Sequence, residues 1–217
     1  QRSTQNVSRS FNTMGVNVQR ALTAALSVVA VQRMARALDD LAKMAFRAEA
    51  GLLIFAKQVQ KTGQELDRSF GRIRELSDRL FVPQEVLAQN ASELIRYGYT
   101  VDQIVRIYEG AAASGMLVGR TTTEAINLVT EALISERSVM LNIIGIVENL
   151  DAALRNYART SGVAVDNLNR AQRAQAAYEM IARATAPEVE ELDVLLQGYG
   201  GTVAAAGVHT YNLRRAL

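Results

Sequence analysis

The sequence predicts an all-α chain: a long N-terminal amphipathic helix or helices, followed by a bundle of short capped helices. Three observations carry that prediction. Only two prolines occur in 217 residues, and the abundant Ala, Leu, Gln, Arg and Glu favour helix. Apolar residues recur at steps of three or four, the period of a helix and not the alternation of a strand. Glycines, and Thr or Asn residues followed three positions later by Glu or Gln, interrupt the apolar runs and mark helix ends.

The first element is an apolar stripe containing Leu22, Leu26, Val29, Leu41, Met44, Leu52, Phe55, Val59, Leu66 and Phe70. Within the same stretch Leu26, Ala37, Ala48, Val59 and Phe70 are spaced by eleven, a repeat that drifts little along a straight helix or supercoils slightly right-handed. Such a stripe faces either a core or the seam of an oligomer. Running unbroken from Leu22 to Leu80, about 59 residues would span roughly 90 Å. Gly51, Gly63 and Gly71 each cost about 1 kcal/mol against Ala in a helix interior, so they are the places for a break, with Gly63 preferred. The expected organisation is a long helical or coiled segment over 1–63, a multi-helix bundle over 64–197, and over 198–217 a Gly-rich linker that starts a further helical segment.

After a helix from Leu66 to Leu80, Pro83 suits a first helical turn, where a missing N–H is harmless. That helix should run to Tyr97, with Gly98 in the left-handed position beyond its end. Thr100 and Gln103 form a capping-box pattern and open a helix to about Ser114. Gly115 and Gly119 are expected to punctuate the following turn. Thr121 and Glu124 repeat the capping box ahead of Ala125, Ile126, Leu128, Val129, Ala132 and Leu133. A short segment from Val139 to Val147 is interrupted by Gly145, and a helix from Asn149 to Thr160 stops near Gly162. Asn169 and Gln172 cap the next helix, to about Ala184. Thr185 and Glu188, with Pro187 between them, begin one more.

Composition narrows the function classes. There is no Cys and a single His, His209, so disulfides, thiolate metal sites, Fe–S clusters and a Cys nucleophile are excluded, and His-based catalysis has little to draw on. A net charge of +2 is weak support for nucleic-acid binding, which usually shows a basic stripe. Arg33, Arg36, Arg47, Arg68, Arg72, Arg74 and Arg79 are interleaved with acids and read as a mixed solvated face. Gly198-Tyr199-Gly200-Gly201-Thr202 lacks the Lys-Ser/Thr and preceding strand of a phosphate loop and reads as a linker. Glu188, Glu190, Glu191 and Asp193 suit a helix N-terminus better than a cation site. Tyr97, Tyr99, Tyr108, Tyr157 and Tyr178 read as packing residues with the hydroxyl outward. No catalytic constellation, cofactor or metal is expected. Gln1 to Asn12 is polar and does not read as a signal peptide. The apolar windows Ala21 to Val31 and Gly51 to Ala56 fall well short of the ~20 residues that span a bilayer. A chain opening on Gln1 reads as a segment of a longer protein or a processed product.

A succession of short phrases is more specific than any one of them. Gly119-Arg120-Thr121-Thr122-Thr123-Glu124-Ala125 is followed by Thr130-Glu131-Ala132-Leu133 and Leu141-Asn142-Ile143-Ile144-Gly145-Ile146-Val147. Then come Ala153-Leu154-Arg155-Asn156-Tyr157-Ala158-Arg159 and Gly162-Val163-Ala164-Val165-Asp166-Asn167-Leu168. In order and spacing this resembles the N-terminal helical region of bacteriophage tail tape measure proteins, over roughly Met34 to Leu192. The residues that carry the likeness are Gly119, Thr121, Glu124, Gly145, Tyr157, Gly162 and Asn169. The family's Gly-Lys-Thr-Val turn is Gly162-Val163-Ala164-Val165 here. Its Thr-x-x-Glu cap is Asn169-x-x-Gln172, an equivalent cap because Asn accepts from the same amide.

The resemblance implies a non-enzymatic structural protein: a scaffold in the lumen of the tail tube that sets tail length during assembly. It would be made in the host cytoplasm and end in the virion. Its partners would be other copies in a multi-helix assembly, the tail tube protein, and tail-tip or assembly chaperone proteins, with no small-molecule substrate. Two other classes fit the same residues, a helical interaction or adaptor module and a membrane-active helical protein; membrane contact stays open.

Overall fold

The apolar stripe folds back on itself at Gly63. In the computed structural model, which describes residues 49–197, helix α1 is seen over 49–61 and ends in a glycine-capped turn. Gly63 takes φ +72, the Gly63 N–H donates to the Gln60 carbonyl, and the Gln64 N–H donates to that of Val59. This paired closure satisfies helix-end carbonyls that would otherwise lack partners, and its left-handed residue suits glycine. The break therefore falls at Gly63, the glycine preferred for it in the sequence. Phe55 of α1 and Phe70 of α2 (Leu66–Leu80) meet edge to face, with ring centroids 5.2 Å apart. Phe55 and Val59 are fully buried, and Leu52, Leu66 and Phe70 pack partly buried against the same core. Helix α1 therefore packs into the same core as α2. Leu22, Leu26, Val29, Leu41 and Met44, with the segment 198–217, lie outside the described residues.

The remaining elements are α3 (Gln84–Arg96), α4 (Val101–Leu117), α5 (Thr122–Ser135), α6 (Ser138–Ile143) and α7 (Leu150–Ser161). A 3₁₀ turn (Val165–Asn167) leads into α8 (Arg170–Ala184), α9 (Ala186–Glu190) and α10 (Leu192–Gln197). The described residues are all-α, with no strand among them. The three capping boxes at Thr100, Thr121 and Asn169 form with both reciprocal bonds, and the Asn149 side chain caps α7. Gly98, Gly119, Gly145 and Gly162 all take positive φ just past their helices.

One bond recurs at seven consecutive helix ends. The N–H of the residue after the left-handed one reaches back to a carbonyl in the last turn: Gln64 to Val59, Val82 to Ser77, Tyr99 to Leu94, Arg120 to Gly115, Arg137 to Ala132, Ile146 to Leu141 and Val163 to Ala158. Five of these turns hold glycine at the left-handed residue. The other two hold Phe81 and Glu136 at φ 54 and 53, a conformation that costs an L residue roughly 1–2 kcal/mol.

Helix α4 is the hub. It packs against α2, α3, α5, α8, α9 and α10, and its stretch Gly110 to Gly115 is buried at every position. A helix buried all round must be made of small or apolar residues, which is what Gly110-Ala111-Ala112-Ala113-Ser114-Gly115 supplies. A Cβ at Gly110 would lie 2.2 Å from Thr185 Oγ1, and one at Gly115 would lie 2.7 Å from the Ala125 Cβ. Gly115 is thus a packing residue inside α4 and not the turn residue expected. Gly51 and Gly71 likewise sit inside α1 and α2 without a break.

Thr185 does not cap α9. Its hydroxyl donates back to the Ile181 carbonyl at 2.9 Å, since α8 and α9 share Thr185 as their junction. Tyr108 is also corrected: it is fully buried, and its hydroxyl points inward to pair with the Thr130 hydroxyl at 3.1 Å. Burial pushes the Tyr108 phenol above its ordinary range, with the Thr130 bond acting weakly the other way.

Candidate functional site

Three of the four arginines of α2 are held in ion pairs. Arg68 and Arg72 both reach Asp102 at the start of α4, at 2.9 and 3.2 Å. Arg79 pairs with Glu109 of α4 and with Asp193 of α10. These pairs orient α2 across the hub, and at their exposure each contributes about 0–1 kcal/mol. No metal-binding group of His, Cys, Asp or Glu occurs among the described residues. No described helix is long and apolar enough to cross a membrane. In the acidic stretch of α9 and α10, Asp193 is used by Arg79, and Glu188 leaves one carboxylate oxygen buried without a partner.

Two surface features bear on what this body could bind. The first is an exposed apolar patch at the end of the bundle where α4, α5 and α6 meet. Val118 lies against Gly145, whose added Cβ would meet Val118 Cγ1 at 3.2 Å. Around that contact Leu117 is 57%, Val118 50%, Ile143 42% and Val147 82% exposed. Val139 shares the outer face of α6 with Ile143, four residues on, while Leu141 and Ile144 face the core. Two of the motif glycines, Gly119 and Gly145, shape this end.

The second feature is a cavity of about 260 Å³ under the N-terminus of α8. Its position follows from Gly98. The turn between α3 and α4 presses so close to α8 that a Cβ at Gly98 would sit 3.0 Å from the Ala171 nitrogen, and φ is +100 there. The turn brings Tyr97 and Tyr99 to the cavity, α5 brings Leu133 and Glu136, α7 brings Leu150 and Leu154, and α8 brings Arg170, Arg173, Ala174 and Ala177. Leu133, Leu150, Leu154, Ala174 and Ala177 are buried and make an apolar floor; Glu136 and Arg170 are exposed at the mouth.

Arg173 is fully committed. It bonds both oxygens of Glu136 at 3.2 and 3.0 Å and the Leu168 and Val165 carbonyls at 3.3 and 3.2 Å. Glu136, left-handed without being glycine, is held where Arg173 can clasp it. Tyr99 is buried, and burial first, then the Glu136 carboxylate, raises its phenol pKa above the ordinary range.

Apart from Tyr157, the residues carrying the family likeness mark helix ends, and the set does not converge on one pocket. Gly119, Thr121 and Glu124 lie at the α4–α5 turn, Gly145 after α6, Gly162 after α7 and Asn169 before α8. Tyr157 packs half-buried on α7. Neither the packing role of Gly110 nor the cavity is signalled by any local sequence pattern. No family model, curated protein or solved structure matches the chain.

Proposed function

We propose that this chain is a structural scaffold of a phage tail or tail-like particle, a tape measure protein that occupies the tail tube lumen and sets tail length. One observation carries the reading. The phrases that resemble the family, in the family's order, fall on helix caps of a single compact body: Thr121 and Glu124 open α5, Gly145 follows α6, Gly162 ends α7 and Asn169 opens α8. Sequence phrases that coincide with folding signals mark an architecture and not an active site.

On this reading residues 49–197 are a module carried by the ruler and not a stretch of it. A compact body of this length has a radius of gyration of about 15 Å, whereas one continuous helix over the same residues would extend about 220 Å. Only an extended chain converts residue count into tube length. The exposed apolar residues at the α4–α6 end suit a protein that works among other proteins, and the partners are further copies, the tube protein and tail-tip or chaperone proteins. The test is the content of purified tail particles. The polypeptide should be found in them by mass spectrometry, and deleting its gene should abolish tails of defined length. Normal tails without it would overturn the reading.

A further inference from the structure

The cavity under α8 plays no part in the scaffold reading, and it is lined by two donors, the Tyr99 hydroxyl and the Arg170 guanidinium, that the fold leaves largely unused. Tyr99 is 4% exposed, and nothing among the described residues bonds its hydroxyl. A phenol that stays protonated has an O–H to give. Arg170 is exposed at the mouth, and its one protein contact is a long 3.5 Å approach to the Arg96 carbonyl, which leaves most of its five N–H groups free. The acceptor at the mouth, Glu136, is taken on both oxygens by Arg173. Arg170, Arg173 and Glu136 together leave the rim with one excess positive charge, and the first turn of α8 holds no acid to offset the positive end of its dipole.

We propose that this cavity binds a small apolar carboxylate, its hydrocarbon part on Leu133, Leu154 and Ala177 and its carboxylate accepting from Tyr99 and Arg170. Size sets the ligand class. A dry cavity of about 150 Å³ holds benzene, so the 260 Å³ here takes a phenyl ring with a short chain but not a drug-sized molecule. The acid arrives either free or as the terminal carboxylate of an apolar residue on a peptide; the chemistry of recognition is the same.

The test is an NMR titration of the 217-residue chain, labelled at Leu methyls, and it needs no tail particle, so its outcome is independent of the scaffold reading. The probes are 3-phenylpropionate, its neutral analogue 3-phenylpropanol, and a short peptide ending in Phe as free acid and as amide. The acid should shift the methyls of Leu133, Leu150 and Leu154 with a Kd of about 1 mM or tighter, and the alcohol should bind about tenfold more weakly. Tyr99→Phe and Arg170→Gln should each weaken the acid by about five- to tenfold. Tyr99→Phe should leave the melting temperature about unchanged, because no described residue bonds the hydroxyl it removes. A tighter peptide acid names a chain terminus as the source, and a tighter free acid names a small molecule. No methyl shifts at about 20 mM acid, equal binding of acid and alcohol, or full affinity in both variants would overturn the proposal.

Discussion

Gly110→Ala sets two familiar effects against each other. Replacing a helix-interior glycine by alanine ordinarily stabilises by about 1 kcal/mol. At Gly110 the new methyl carbon would lie 2.2 Å from Thr185 Oγ1, 2.9 Å from its Cβ and 3.2 Å from its Cγ2. Thr185 cannot swing away cheaply: it is fully buried, β-branched, and bonded to the Ile181 carbonyl at 2.9 Å. Turning it about χ1 would break that bond and strand a buried hydroxyl, at about 1–3 kcal/mol. Parting α4 from the α8–α9 junction would cost an overpacking penalty of the same size. The net expectation is a loss of about 1–3 kcal/mol despite the gain in helix propensity. Thr185→Ala alone should cost about 1 kcal/mol for its hydrogen bond, while the double variant should recover at least ~1 kcal/mol relative to the sum of the two. Urea unfolding followed by far-UV circular dichroism measures all three. A Gly110→Ala protein more stable than the parent, or strict additivity in the double variant, would refute the close approach of α4 to Thr185.

Three further outcomes follow from the same geometry. Gly119→Ala, where nothing lies within 4 Å of the added carbon, should lose only the left-handed backbone cost of about 1–2 kcal/mol, whereas Gly98→Ala, which meets the Ala171 nitrogen at 3.0 Å, should lose clearly more in the same urea assay. Glu124 has a pKa held below its ordinary 4.5, chiefly by the Thr121 backbone N–H and then its side chain. A carboxylate depressed by folding adds stability that is complete above its unfolded value and is lost as pH falls through the folded one. The stability gap between the parent and Glu124→Gln should therefore be constant above pH 4.5 and close below it; a pH-independent gap would contradict the cap. Thr130→Val removes the partner of the buried Tyr108 hydroxyl and should cost about 1–3 kcal/mol, much of it regained by adding Tyr108→Phe, since removing both polar groups leaves none stranded.

Helix ends were the legible part of this fold because their chemistry is local. A Thr or Asn with its Glu or Gln three residues on, or a glycine beyond the last turn, acts through neighbours in sequence. The caps at Thr100, Thr121, Asn149 and Asn169 and the turns at Gly63, Gly98, Gly119, Gly145 and Gly162 stand where that chemistry puts them. Glycines inside helices are set from outside the local sequence. Gly115 faces Ala125 and Gly110 faces Thr185, 10 and 75 residues away by number, and no local pattern distinguishes them from a stop signal. Phe81 and Glu136 end their helices in a conformation that favours glycine, so no composition cue announced them; the bond to the residue beyond and, for Glu136, the Arg173 clasp hold them there. The same is true of the inward Tyr108 hydroxyl and of the cavity, whose walls come from four separate parts of the chain.

The scaffold role is tested most directly by length. On the proposed ruler role, in-frame deletions outside residues 49–197 should shorten tails by about 1.5 Å per residue removed when particles are measured by electron microscopy. Tails of unchanged length across a series of such deletions would contradict the role proposed for this chain.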